Sequence, residues 1–213
     1  MERYIKKFYL WGILLLIFLA LILFFQHLNN NRLVVNNIEN MTDLSVKLLN
    51  EKINNWLNQR AQVIKDAENY IAMKDNGNSN LLKYLENLLE NNKQFFSLYF
   101  GTSDNKMINA SGWSPPEGFD LRKRPWYKKA VKKDQLIYTN AFVNASEDDI
   151  IITIAMPVYR NKDNKFLGVV AGDVSIQTII SLVNNQKATN SGFSMLIDSK
   201  NNILAHQEHE YTL

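Results

Sequence analysis

The sequence predicts an α+β chain in which a long N-terminal helix, apolar at first and amphipathic after, packs on an antiparallel β-sheet. Three observations carry this reading. Residues 8–25 are an uninterrupted run without charge, residues 33–73 space their apolar side chains by threes and fours, and from Phe95 onward β-favouring runs are joined by short polar turns.

The first run, FYLWGILLLIFLALILFF, holds eighteen residues. At about 1.5 Å rise per residue it spans roughly 27 Å of hydrocarbon. Tyr9 and Trp11 sit near its start, where an aromatic belt belongs. Arg3, Lys6 and Lys7 precede it, whereas Arg32 is the only Lys or Arg between Gln26 and Val46. Residues 1–7 are therefore expected in the cytoplasm, residues 8–28 in the membrane and the remainder outside. A cleaved leader is the rival reading, but Phe24-Phe25-Gln26-His27 offers no small-x-small cleavage site, which favours an uncleaved anchor.

Residues 29–80 are expected as the long extracytoplasmic helix region leaving the membrane, helical in pattern from Leu33 to about Met73, with Val34, Ile38, Met41, Leu44, Leu48, Trp56, Ile64, Ala67 and Ile71 on its apolar stripe. That stripe is too wide and irregular for a clean coiled coil, so part should lie on the sheet and part against a second copy. A polar, glycine-bearing break at 75–80 precedes a helix at 81–91. Strands at 95–100 and 107–111 then make a hairpin around the turn at 102–106. Residues 112–125, with three prolines, read as a loop over the sheet, and Pro125 suits the first turn of a helix reaching about residue 133. Strands follow at 137–144, 149–159 and 165–175, the last two joined by the turn Asn161-Lys162-Asp163-Asn164. A helix at 176–185 closes the unit, and 193–206 reads as strand, turn and strand.

Composition removes several classes of function. The chain has no cysteine, so it carries no disulfide framework, thiolate metal site or thiol nucleophile. A net charge of +3 over 213 residues is no polyanion-binding signature. The basic run Arg122, Lys123, Arg124, Lys128, Lys129, Lys132 and Lys133 reads as the solvated face of a short helix, and no nucleic-acid partner is expected. His206, Glu208, His209 and Glu210 form only an H-x-x-H-like cluster without a defined helix, read as a polar terminus. No Ser-His-Asp set, phosphate-cradling loop or spaced carboxylate pair occurs, so no catalytic residue, metal or cofactor is expected.

One constellation does carry chemistry. Arg124 lies beside Trp126 and Tyr127, and Asp173 is the only charge in the apolar run 167–176. With period two, Val169, Ala171 and Asp173 share a strand face, so the acid projects among apolar neighbours and requires a cation or a proton. A planar guanidinium beside aromatic rings, with a carboxylate on a later strand, matches a zwitterion.

Four segments resemble, in order and spacing, the membrane-distal module of double Cache (dCache) sensor domains. They are Arg-Pro-Trp-Tyr at 124–127, Thr-Asn-Ala-Phe-Val-Asn at 139–144, Ile-Thr-Ile-Ala-Met-Pro-Val at 152–158 and Gly-Val-Val-Ala-Gly-Asp at 168–173. The resemblance implies a PAS-like sheet at 81–186 as the ligand-binding module, and at 187–213 the start of a membrane-proximal module that the chain does not complete. It implies an extracytoplasmic sensor rather than an enzyme, working in signal transduction or chemotaxis as a homodimer through its long helix. By the family's amino-acid-binding pattern, Arg124 and Trp126 would take the ligand carboxylate and Asp173 its ammonium, with Phe119, Tyr127, Phe142 and Asn144 also at the site.

Here the sequence departs from that pattern: Phe119 and Phe142 stand where the family has tyrosine, and Asn144 where it has aspartate. Phenylalanine keeps a stacking surface and loses a hydroxyl, while asparagine removes a negative charge from the ammonium end. Two readings stay open. The pocket binds an amino acid, amine or organic acid, or Arg124 and Asp173 pair internally and the module binds nothing. If the first is right, Asn144→Asp should tighten amine binding, and an unchanged calorimetric affinity would count against the assignment.

Overall fold

The computed structural model describes residues 1–73, 78–143, 150–187 and 192–206. Helix α1 runs Glu2–Met73 and α2 Asn78–Asn91. Strands β1 (Phe95–Thr102) and β2 (Met107–Asn109) follow, then α3 (Pro125–Lys133). The remaining elements are β3 (Ile137–Tyr138), β4 (Phe142–Val143), β5 (Ile150–Tyr159), β6 (Phe166–Ser175), α4 (Gln177–Asn184), β7 (Leu196–Ile197) and β8 (Ile203–Ala205).

Residues 1–48 stand in one unit, and the body, 49–187 with the segment from Phe193 onward, forms another. The first is helical, and an eighteen-residue window within it has a mean hydropathy of 2.5. It is long and apolar enough to cross a membrane, with Leu14, Leu15, Phe18 and Leu23 exposed on its surface.

In the body, β1 to β6 make a six-stranded antiparallel sheet in the order β2-β1-β6-β5-β3, with β4 also paired to β5. Strand alternation gives the sheet two differently used faces. On one, Leu98, Ile154, Val170 and Val174 join Ile64, Ala67 and Ile71 of α1, Leu85 of α2 and Ile179 of α4 in the larger core. Ile64, Leu85 and Leu98 are fully buried, each contributing about 1.5–3 kcal/mol of burial free energy. On the other face, Tyr99, Ala155, Val169 and Ala171 pack with Leu121, Trp126 and Ala130. β7 and β8 pair as a separate ribbon.

The expected turn at 161–164 forms with Asn164 at φ 54°, a conformation asparagine tolerates well. The expected single strand at 137–144 is divided instead. Thr139 Oγ1 accepts the Thr153 N–H at 2.9 Å, so a side chain takes a place in the ladder between β3 and β4. The second hairpin strand is also shorter than expected, because Asn109 Oδ1 turns back onto the Ser111 N–H at 2.9 Å.

Gly168 sits opposite Thr102, where β6 packs tightly on β1. Its φ is +150°, and an added Cβ would fall on the Gly101 carbonyl oxygen and 2.8 Å from Thr102 Cα. Neither backbone atom can swing aside as a side chain could. Gly168→Ala should therefore destabilise the body by about 3 kcal/mol, read as a lower thermal midpoint; an unchanged midpoint would mean the two strands can part.

Candidate functional site

Asp173 lies in the middle of the sheet. The register places it opposite Ser97 of β1 on one side and Thr153 of β5 on the other. Thr153 Oγ1 donates to its Oδ1 at 2.7 Å and the Tyr99 hydroxyl donates to the same oxygen at 3.0 Å. Oδ2 receives no hydrogen bond from the described residues, and Asp173 opens onto a cavity of about 940 Å³. That volume is at the upper end of what small-molecule sites use.

Burial pushes the Asp173 carboxyl above its ordinary range, and the hydroxyls of Thr153 and Tyr99 offset part of the rise. Burial likewise drives the Tyr99 phenol well up, helped by the neighbouring carboxylate. Neutral donors steady this charge without cancelling it.

The cation stands elsewhere on the same wall. Arg124 precedes Pro125 and is the N-cap of α3, with extended backbone at φ −73° and ψ 145°. Its guanidinium carbon lies 4.9 Å from the centroid of Phe119, which meets Trp113 edge to face at 5.6 Å. The loop carrying Phe119 is pinned from the β1–β2 turn: Asn105 Oδ1 accepts from Leu121 N at 2.8 Å and its Nδ2 donates to Phe119 O at 3.3 Å. Leu121, fully buried, anchors the same segment. Arg122 is spoken for by Asp120 at 3.0 Å.

Of the residues singled out from sequence, Phe119, Arg124, Trp126, Phe142 and Asp173 all line the cavity. Tyr127 does not. It is buried on the far side of Trp126, its ring 6.4 Å from Phe166 and its hydroxyl donating to Thr102 O at 3.4 Å. On a helix, successive side chains are about 100° apart, so Trp126 and Tyr127 cannot both face one wall. Asn144 lies outside the described residues. The internal bridge between Arg124 and Asp173 is absent: among the described residues no ion pair joins them, and Asp173 is held by hydroxyls instead. His206 meets Phe193 edge to face at 5.0 Å, and Glu208, His209 and Glu210 lie outside the described residues. Among the described residues no cluster of three metal-ligating side chains occurs.

Sequence reasoning missed Tyr99, Thr153, Ser97 and Asn109. Each sits on a strand that was correctly expected, but only strand order reveals that they converge on one face. A polar residue alternating in phase with Asp173, as Thr153 does in β5, is the signal that was available.

The Cache domain family model matches residues 30–213, and the chain belongs to that family. Among curated proteins it is 26% identical over 196 residues to the methyl-accepting chemotaxis protein McpA of Pseudomonas putida, covering 91% of this chain and 29% of that protein. It is 29% identical over 127 residues to McpC of Bacillus subtilis, covering 59% of this chain and 19% of that protein. The chain thus spans less than a third of the length of these curated relatives. Among solved structures, the ligand-binding domain of the Pseudomonas aeruginosa amino-acid chemoreceptor PctC, in complex with GABA, superposes with TM-score 0.71 at 28% identity over 78% of this chain and 74% of that one. The ligand-binding domain of Pseudomonas fluorescens CtaA in complex with L-serine gives TM-score 0.65 at 27% identity, over 78% and 70%.

The raised Asp173 pKa has a definite sign in stability. The folded chain holds a proton that the unfolded chain releases from about pH 3.9 upward. Ligand-free stability therefore falls as pH rises from there through the higher folded value. Asp173→Asn, which keeps an oxygen for Thr153 and Tyr99, should melt above the parent at neutral pH and converge with it in acid. A variant that melts below the parent at pH 7 would contradict this.

Proposed function

We propose that the chain is the ligand-binding region of a membrane-anchored, extracytoplasmic sensor of the chemoreceptor type, and that its cavity takes an α-amino acid or a related amine or carboxylate. The carrying observation is that Arg124 and Asp173 share the wall of one cavity and make no ion pair with each other. A guest with an acid at one end and an ammonium at the other supplies what each lacks. The start of α3 adds its dipole to Arg124 at the carboxylate end. Phe119, Trp126 and Phe142 supply aromatic surface for the rest. GABA and L-serine, held by the PctC and CtaA domains, have this two-ended chemistry.

In this reading residues 8–28 cross the plasma membrane once from a cytoplasmic N-terminus, 29–80 carry the signal, 81–186 bind the ligand and 187–213 open a second module. The exposed apolar side chains Val34, Ile38, Met41 and Leu44 meet those of a second copy. Asn144 is a further proposed contact, and Tyr127 serves the site by backing Trp126, 5.4 Å away between centroids. The chain acts by binding, and its output is chemotaxis or another transmembrane signal.

The test is a thermal-shift and calorimetric screen of the 213-residue chain in detergent against amino acids, amines and organic acids. A ligand of the folded state should raise the midpoint. Arg124→Ala and Asp173→Asn should each remove about 2 kcal/mol or more of binding, roughly a thirtyfold loss. A parent unmoved by every compound, or variants that bind as the parent does, would refute the proposal.

A further inference from the structure

The cavity has a second polar pole, separate from Arg124 and Asp173. Asn109 of β2 stands opposite Tyr99 in the register and lines the cavity. Its Oδ1 accepts from Ser97 Oγ at 2.7 Å, from the Ser111 backbone N–H at 2.9 Å and from Ser111 Oγ at 3.0 Å. A backbone N–H can only donate, so the amide atom facing it is the oxygen, and the orientation of the side chain is fixed. Three donors leave that oxygen no spare capacity. The other end of the amide, Nδ2 with two N–H groups, has no partner among the described residues.

The charges on the wall are also unequal. Among the described residues, Arg124, Lys129 and Lys200 line the cavity against the one carboxylate of Asp173. A simple zwitterion engages one charge of each sign and leaves the lysines uncompensated. Lys129 Nζ spends one donor on Tyr138 O at 2.6 Å and retains others.

We infer that Asn109 selects the ligand's side chain, and that the site takes an α-amino acid whose side chain ends in a carboxylate or carboxamide, its oxygen accepting from Asn109 Nδ2. This deepens the amino-acid reading and rests on it. The spacing fits: β1 separates β2 from β6 and Asn109 is offset by two positions from Asp173 along the sheet, so their backbones stand roughly 12 Å apart. An amino acid of aspartate or glutamate length, with a hydrogen bond at each end, spans that distance. Leucine has nearly the shape of asparagine but offers Asn109 no acceptor, leaving a desolvated donor pair unpaired. Lysine brings a further cation to a wall that already has three.

Calorimetry on the 213-residue chain in detergent decides this, using L-aspartate, L-asparagine, L-glutamate, L-glutamine, L-leucine and L-lysine as probes. In the parent, at least one acidic or amide amino acid should bind about tenfold or more tighter than leucine and lysine. Asn109→Asp keeps an oxygen for Ser97 and Ser111 and replaces the donors with an acceptor. It should retain the parent's thermal midpoint, lose about tenfold for the preferred ligand and gain for lysine. Asn109→Leu should erase the preference over leucine. Equal binding of leucine in the parent, or a preference that survives both substitutions, would overturn this inference while leaving the amino-acid reading intact. Absence of binding by any amino acid would overturn both.

Discussion

An uncompensated carboxylate in the middle of a β-sheet governs the rest of this structure. Asp173 sits on β6, with a strand on either side, where water cannot reach it freely. Burial alone would force a proton onto it. The sheet answers with hydroxyls, Thr153 and Tyr99 both on Oδ1, which lower the cost of the charge without cancelling it. Had Arg124 reached across, the charge would be neutralised and the cavity closed by its own side chains. Arg124 lies against Phe119 instead, and Phe119 is held in place by Asn105. The pair is kept apart by structure, and a space lined by aromatic rings lies around them.

That arrangement depends on the two faces of the sheet being unlike. Moving one residue along β6 switches environments completely: Asp173 faces the cavity, whereas Val174 belongs to the core shared with α1, α2 and α4. Gly172 shows how tight the second face is, since a Cβ there would lie 2.6 Å from Leu98 Cδ2 and 2.7 Å from the Phe95 ring. The polar cluster on the first face is affordable because the apolar packing on the second is dense. A sheet solvated on both sides could not hold a carboxylate in this state.

What could be read from the sequence follows from range. The end of α1, the loop at 112–125, the turn at Asn161 to Asn164 and the three long strands all depend on local period and on turn-forming residues. Asp173 stood out because one charge in an apolar strand is itself a local anomaly. Tyr99, Thr153 and Asn109 were hidden because their meeting depends on the strand order β2-β1-β6-β5, a nonlocal fact that no single segment encodes. Tyr127 lies off the cavity for a local reason: neighbouring helix positions point about 100° apart, so its ring touches Trp126 from behind while only Trp126 reaches the lining. The division of 137–144 into β3 and β4 was likewise invisible, since it turns on one threonine hydroxyl entering a ladder whose partner is fourteen residues away.

The same two-faced sheet constrains how occupancy of the cavity reaches α1. No cavity-lining side chain named here belongs to that helix; Ile64, Ala67 and Ile71 touch the sheet only from its other side. The path therefore runs through the strands. A cation at Asp173, as the proposed function has it, would act on β6 and, through Tyr99 and Thr153, on β1 and β5, whose alternate residues Leu98, Ile152 and Ile154 pack in the core with α1. Close-packed interiors transmit displacement because they have little free volume to absorb it. A second tie is direct: the Asn161 N–H, where β5 turns toward β6, donates to Ala72 O at the last turn of α1 at 3.1 Å. Strand and helix are thus joined at both the packed face and the turn. A ligand can bias the helix only by as much as it prefers one arrangement of these three strands over another.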